Sequence, residues 1–328
     1  MRRLVLVLSV IAAFEVAEAQ SDTNLVWPQP PDRARVRFLE TISYQQHFKH
    51  ESGGLFSKIV SFVFGEHQDL SWLVQPVGIA VSPQGKIYVA DPGAHGIHVI
   101  DRAEQEYKFL HETKDGQFVS PVGITVAPDG TVFVSDSERG DIVALDKDND
   151  PEFAFGDHLV RPTGLSIDQG RLYVADPGRQ KVLIFDLKGT YIGEFGQRGV
   201  GDGEFNYPID VVGVNSLYVV DALNYRIQEF DPGGKFASKF GRQGNAAGLL
   251  ASPKSVALDS DGNIYVTDAL MDNFQIFDKQ GQLMLVVGQQ GVSNGRFMSP
   301  GGITIDDKDN IYIVDMLNKR IQIFKYVK

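Results

Sequence analysis

The sequence has no cysteine among its 328 residues. This absence excludes disulfide bonds, cysteine-ligated metal sites, a cysteine nucleophile and a lipid-anchored N-terminal cysteine. Basic residues are in the minority, because 31 Lys and Arg stand against 42 Asp and Glu and leave a formal net charge of −11. An acidic chain is poorly matched to a polyanion, so we expect no nucleic-acid partner.

The first 19 residues have the pattern of a secretory signal peptide. Arg2 and Arg3 form a basic start, residues 4–14 an apolar stretch, and residues 17–19 a small-residue cleavage site. The apolar stretch is too short to cross about 30 Å of hydrocarbon as an anchor. We therefore predict an exported protein, either periplasmic or secreted.

A short pattern of strand-forming residues followed by aspartate occurs six times. The first copy is Tyr88-Val89-Ala90-Asp91, and the aspartates recur at steps of 40 to 47 residues: Asp91, Asp136, Asp176, Asp221, Asp268 and Asp315. About a dozen residues before each aspartate, a proline opens another apolar run: Pro76, Pro121, Pro162, Pro208, Pro253 and Pro300. A period of this length filled with short β segments is typical of propeller blades.

Residues 162–195 illustrate one unit, which contains four strand-like segments separated by polar turns. The middle segments are nearly continuous runs of apolar residues, as expected for strands that are buried on both faces between neighbouring blades. We predict an all-β, six-bladed β-propeller over residues 36–328, preceded by a Pro-rich leader over residues 20–35.

Each repeated aspartate follows a strand at the point where the chain turns. A carboxylate in this position can accept backbone N–H groups two residues further along the chain. Because turn chemistry repeats with the fold, we interpret the six aspartates as a structural ring.

The loops that follow Asp221 and Asp315 are the most complete. Residues 221–230 read Asp-Ala-Leu-Asn-Tyr-Arg-Ile-Gln-Glu-Phe, and residues 315–324 share the Asp, Asn, Arg, Gln and Phe. This pattern resembles the NHL repeat, and the resemblance covers about residues 35–328. It implies a six-bladed propeller but leaves function open, since members of this family include partner-binding modules, RNA binders, sensor domains and a few enzymes.

The last copy ends at Lys328, directly after its third strand-like segment, while residues 36–42 form a strand-like segment with no unit of their own. We predict that residues 36–42 supply the outer strand of the last blade, because closing the ring leaves no unpaired inner edge.

Residues 43–75 form the longest connection between units. Apolar residues at positions 55, 56, 59, 60, 63 and 64 fall on one face at helical spacing, which predicts a short helical insert. The helix can pack onto its own propeller, or it can dock a partner through Phe56, Ile59 and Val63.

The two residues after each repeated proline are predicted to line the central channel. Among these twelve positions only Asp210 and Lys254 carry a charge, and they belong to adjacent blades. They can form a salt bridge at the rim or contribute to a binding site.

Amidating lyases with NHL-type propellers hold a metal through histidines next to this proline, and none of the equivalent positions here is histidine. Two acidic runs, residues 146–152 and 259–263, lie at predicted hairpin turns rather than in calcium loops. We expect no metal and no cofactor.

The function that we predict is that of a monomeric, non-catalytic binding or scaffold propeller. It presents its loops to a protein partner or small ligand. Membrane contact through the insert helix is the weaker alternative, because Lys58 is its one cation. The alternative is a metal-assisted lyase or lactone hydrolase that acts at the mouth of the channel.

Overall fold

The computed structural model describes residues 25–43, 72–104 and 106–328. Six antiparallel sheets surround a central channel, and each innermost strand contacts the innermost strand of the next sheet, including the last with the first. The fold is a six-bladed β-propeller, as predicted. No helix in the described ranges is long and apolar enough to cross a membrane.

The strands of each blade are given from the channel outwards. Blade 1 contains Gly78–Val81, Ile87–Asp91, Gly96–Asp101 and Glu106–Leu110; blade 2 contains Pro121–Val126, Val132–Asp136, Asp141–Leu145 and Pro151–Phe155; blade 3 contains Leu165–Asp168, Arg171–Asp176, Lys181–Asp186 and Tyr191–Phe195. Blade 4 contains Pro208–Gly213, Leu217–Asp221, Arg226–Phe230 and Phe236–Phe240; blade 5 contains Pro253–Leu258, Ile264–Asp268, Asn273–Phe277 and Leu283–Val287; blade 6 contains Pro300–Ile305, Asn310–Asp315, Arg320–Tyr326 and Val36–Ile42.

Four short elements lie outside this pattern. Val26–Trp27 pairs with residues 36–37 as a fifth strand of blade 6, and Glu112–Thr113 pairs with Gly116–Gln117 between blades 1 and 2. A 3-10 turn spans Ala222–Asn224.

The two ends of the blades differ in the kind of connection that they carry. Pro208 pairs with Asp221 where the first strand begins and the second strand ends. This end, the loop face, carries the loops between second and third strands and the connections between blades. The opposite end, the hairpin face, carries the tight turns within each blade.

The hydrophobic core lies between the blades. The second strand of every blade is buried along its apolar residues, because it has a neighbouring blade on each side. Between blades 3 and 4, the Phe230 ring lies 4.8 Å from that of Phe195 and 5.5 Å from that of Phe205. Aromatic contacts of this kind fill the space where the blades diverge away from the channel.

The ring is closed by the N-terminal strand, which confirms that prediction. Val36–Ile42 pairs antiparallel with Arg320–Tyr326. Phe38 is 4% exposed, and its ring makes an edge-to-face contact with Phe324 at 5.5 Å. The first and last segments of the propeller therefore meet in one hydrophobic core.

We expect Phe38→Ala to lower the free energy of unfolding by about 3 to 5 kcal/mol, because it leaves a cavity where the closing strand meets the last strand of the propeller. Leu39→Ala is the matched control, since Leu39 lies in the same strand and is 40% exposed. Urea denaturation of both variants measures the difference. Equal effects would show that the closing strand contributes little to stability.

Candidate functional site

The six repeated aspartates are completely buried and hold the connections on the loop face in place. Asp136, for example, accepts the backbone N–H groups of Val119 at 2.6 Å and Ser120 at 2.9 Å. It also accepts the N–H of Arg139, three residues further along, at 3.2 Å. The prediction of donors two residues on was incomplete, because the shortest bonds come from residues 15 to 17 positions earlier.

Two buried arginines reinforce this arrangement in blades 4 and 6. Arg226 donates its Nε–H to Asp221 at 2.8 Å and its terminal N–H groups to the carbonyl oxygens of Val200, Gly201 and Glu204. Arg320 bonds in the same way to Asp315 and to the carbonyl oxygens of residues 292, 293 and 296. Each guanidinium thus fixes a long, exposed connection onto a buried carboxylate.

Blade 1 has a histidine at the position where blades 4 to 6 have glutamine. His98 is completely buried, with Nε2 3.3 Å from Asp91 Oδ2 and Nδ1 2.8 Å from the Tyr107 hydroxyl. Burial would raise the pKa of Asp91, but the His98 hydrogen bond and the N–H groups of Gln75 and Val74 outweigh it, and the pKa is lowered. This histidine therefore belongs to the structural aspartate network.

Exposed aliphatic side chains are concentrated on the loop face. Of the twelve large apolar side chains that are exposed in the described residues, eight lie there. Their exposed fractions run from 37% to 74%, and we call the group the aliphatic collar: Val74, Val119, Val160, Val200, Leu223, Leu270, Val292 and Leu317.

The collar has members from every blade, although the residues come from different sequence positions. Blades 4 to 6 place a leucine two residues after the repeated aspartate. Blades 1 and 3 have Gly93 and Gly178 there, and a Cβ on these glycines would lie 2.9 Å from a Val74 methyl carbon and 2.8 Å from a Val160 methyl carbon. The valines thus occupy the space that the leucines occupy in the other blades.

Four exposed arginines accompany the collar. Arg161, Arg198, Arg242 and Arg296 lie in the four successive connections from blade 2 to blade 6. None of them forms an ion pair with a described residue. Exposed acids, among them Glu138, Asp157 and Asp202, lie in the same loops and connections. The loop face therefore combines exposed aliphatic groups with unpaired arginines on a surface of mixed charge.

The central channel is lined by the innermost strands and encloses about 410 Å³. All twelve positions that the sequence predicted to surround the channel are among the lining residues. Its walls are mostly aliphatic, and the described lining includes two charged side chains, Asp210 and Lys254, and no histidine.

Asp210 is held by hydrogen bonds that reach across two blades. Its Oδ2 accepts the Ser255 hydroxyl at 2.5 Å and the backbone N–H of Val256 at 3.0 Å. On its other side it packs against Gly164, where a Cβ would lie 2.1 Å from Oδ1. Burial raises the pKa of Asp210 to about 6, although hydrogen bonds from Ser255, Val256 and Val211 act in the opposite direction.

The possible rim salt bridge between Asp210 and Lys254 is not present. Both residues are described, and no ion pair joins them. The sequence could not show this, because the Asp210 carboxylate is occupied by a hydroxyl and an amide of the next blade.

The acidic runs serve as turns. Asp146 Oδ1 accepts the N–H groups of Asp148 and Asp150, and Asp259 accepts those of Asp261 and Asn263. Among the described residues there is no group of three or more His, Cys, Asp or Glu side chains that could hold a metal ion. The predicted docking residues Phe56, Ile59 and Val63 lie outside the described residues.

Comparisons with known proteins agree with this architecture. A family model described as a 6-bladed β-propeller matches residues 158–239 and 249–326, and an NHL repeat model matches residues 73–100. The human E3 ubiquitin-protein ligase NHLRC1 is 41% identical over 59 residues, which is 17% of this chain and 15% of the ligase. The chain thus spans a small part of that relative.

Several solved structures share the fold at low identity. A streptogramin B lyase has a TM-score of 0.59 and 14% identity over 77% of this chain and 94% of the lyase. An auxiliary nutrient binding protein from Bacteroides thetaiotaomicron has a TM-score of 0.62 and 15% identity over 78% of this chain and 70% of that protein. At these identities the likeness shows the fold alone.

We expect Arg226→Met to lower the free energy of unfolding by about 3 to 5 kcal/mol, because it leaves the buried Asp221 carboxylate without its cation. Arg242→Met is the matched control, since Arg242 is exposed on the same face, and it should change stability by about 0.5 kcal/mol or less. Chemical denaturation distinguishes them. Equal losses of stability in the two variants would show that the connection bonded to Arg226 is held by its backbone hydrogen bonds alone.

Asp210 should make the free energy of unfolding depend measurably on pH. Its pKa of about 6 lies above the ordinary value of 3.8, so its contribution to stability is greatest at low pH and is lost as pH rises through 6. Between pH 5 and pH 7.5 this loss amounts to about 1 to 1.5 kcal/mol. Urea unfolding of the wild type and of Asp210→Asn at both pH values isolates the contribution of Asp210. The same change in unfolding free energy with pH in both proteins would contradict the raised pKa.

Proposed function

Since this chain belongs to the NHL-repeat family of six-bladed β-propellers, we propose that it is a non-catalytic, exported binding or scaffold protein that docks a protein partner on its loop face. The observation that carries the proposal is the aliphatic collar. Export is supported by the signal-peptide pattern of residues 1–19.

The collar has the character of a docking surface. Single exposed aliphatic side chains are ordinary on a soluble protein, whereas a concentration of them on one face marks an interaction site. The hairpin face and the outer strands together carry the other four exposed large apolar side chains of the described residues. The asymmetry between faces therefore favours the loop face as the binding surface.

The collar is also preorganised for binding. Val200 is 74% exposed and Val292 is 71% exposed, yet the carbonyl oxygens of both residues accept hydrogen bonds from buried guanidinium groups. Because the connections are already fixed, this protein loses less conformational entropy when a partner binds.

The four exposed arginines of the loop face indicate the chemistry of the partner. Arg161, Arg198, Arg242 and Arg296 lie beside the collar without ion pairs among the described residues. Arginine is enriched at protein interfaces, and charge complementarity accelerates association and selects partners. The partner that fits is a protein segment with aliphatic or aromatic side chains flanked by Asp and Glu.

The comparisons support this proposal through the fold only. The human relative that shares an NHL segment is named as a ubiquitin ligase, and one structure of the same fold is named as a nutrient binding protein. The alternative of a metal-assisted lyase or lactone hydrolase has the fold of the streptogramin B lyase in its favour. The collar favours the binding role.

Site-specific photo-crosslinking tests the docking surface. A photoreactive amino acid at Leu270, which is 72% exposed on the loop face, should crosslink a partner in cells, and the same group at Val214, 58% exposed on the hairpin face, should not. The crosslinked partner segment, made as a synthetic peptide, should bind the purified protein and lose affinity as salt is raised.

Paired substitutions then locate the binding surface. Leu270→Ser with Leu317→Ser should weaken peptide binding at least tenfold, because both side chains belong to the collar. Val214→Ser with Ile192→Ser removes residues elsewhere that are 58% and 50% exposed, and it should leave binding unchanged. Equal crosslinking from both faces, unaltered peptide binding, or binding to anionic lipid vesicles in place of a peptide would overturn the proposal.

A further inference from the structure

The central channel is a second candidate site, separate from the collar and independent of the proposed partner. It runs between the innermost strands, and its volume of about 410 Å³ lies in the range of small-molecule pockets, which is about 300 to 1,000 Å³. The lining residues that are at least partly exposed are mainly Val and Ile, with Thr125, Thr163 and Thr304 among them. Such walls favour the apolar part of a ligand over a sugar or a nucleotide.

Lys254 is the one cationic side chain in the described lining of the channel. It is half-buried, and its ammonium makes no ion pair or hydrogen bond with any described residue. Structural lysines that are partly buried in an apolar wall normally have a counter-charge, because an unpaired charge loses hydration without compensation. An ammonium without a direct counter-ion at this place can therefore accept an anion.

The acid that could neutralise Lys254 is held elsewhere. Asp210 bonds to Ser255 and Val256 of blade 5 and packs against Gly164 of blade 3. The Ser255 hydroxyl in turn accepts the backbone N–H of Ile303 in blade 6 at 3.2 Å. This chain of contacts fixes Asp210 in a structural role across four blades and leaves Lys254 without an internal partner.

From these observations we infer that the channel binds a small amphipathic monocarboxylate, with an aliphatic or aryl body along the channel wall and its carboxylate on Lys254. One cation matches one carboxylate, whereas a phosphate or dicarboxylate would bring a second charge with no described partner. The ion pair gains strength because the surrounding wall is apolar.

Isothermal titration calorimetry with octanoate at pH 7.5 tests the assignment. Octanoate should bind the full-length mature protein with one-to-one stoichiometry. Lys254→Gln should weaken this binding at least tenfold, and Lys254→Arg should retain most of it, because the positive charge is kept. Lys319→Gln is the matched control, since Lys319 is a cation of the loop face that does not line the channel, and it should leave binding unchanged.

Uncharged and cationic analogues separate the carboxylate contribution from simple burial of hydrocarbon. Octanol should bind at least tenfold more weakly than octanoate, and octylammonium should not bind. No octanoate binding, equal affinity for octanol, or full affinity in a folded Lys254→Gln protein would each overturn the assignment. None of these outcomes tests the docking surface, because Lys254 is not a residue of the collar.

Discussion

The buried aspartate at the end of each second strand is the interaction on which the loop face depends. A carboxylate inside a protein is tolerated only when hydrogen-bond donors replace its lost water. Here the donors are backbone N–H groups of the segment that enters the same blade, 15 to 17 residues earlier. Each carboxylate thus fixes the connection that enters its blade, and the same arrangement occurs in all six blades around the channel.

This constraint leaves the exposed residues free to vary. The backbone of the loop face is fixed by hydrogen bonds to buried carboxylates and two guanidiniums. Its outward-facing side chains are therefore not needed to hold the connections in place. Blades 1 and 3 use a valine before the proline, and blades 4 to 6 use a leucine after the aspartate, to reach the same kind of surface. Two different positions in the repeat therefore place an aliphatic side chain on the same face of the propeller.

The fold was predictable because its signal repeats, while most of the candidate site was not. Six copies of strand, aspartate and proline give the blades, and the unpaired segment at residues 36–42 predicts the closure that the pairing with residues 320–326 confirms. The collar could not be predicted from the sequence, because Val74 and Leu270 occupy different positions in their repeats. Only the folded structure brings them to the same face. Asp210 was recognised as unusual, but its partner Ser255 lies 45 residues away and in another blade.

The closing strand also sets the order of events during folding. Residues 36–42 are synthesised long before residues 320–326, their partner strand. Contacts between such distant segments are slow to form, because a long chain must close before they stabilise it. Blades 1 to 5 are each continuous in sequence and can assemble as they are synthesised, whereas blade 6 must wait for residues 300–326. Until then the third strand of blade 6 lacks its neighbour, and a ring interrupted before its final segment exposes the kind of edge that recruits strands from other molecules.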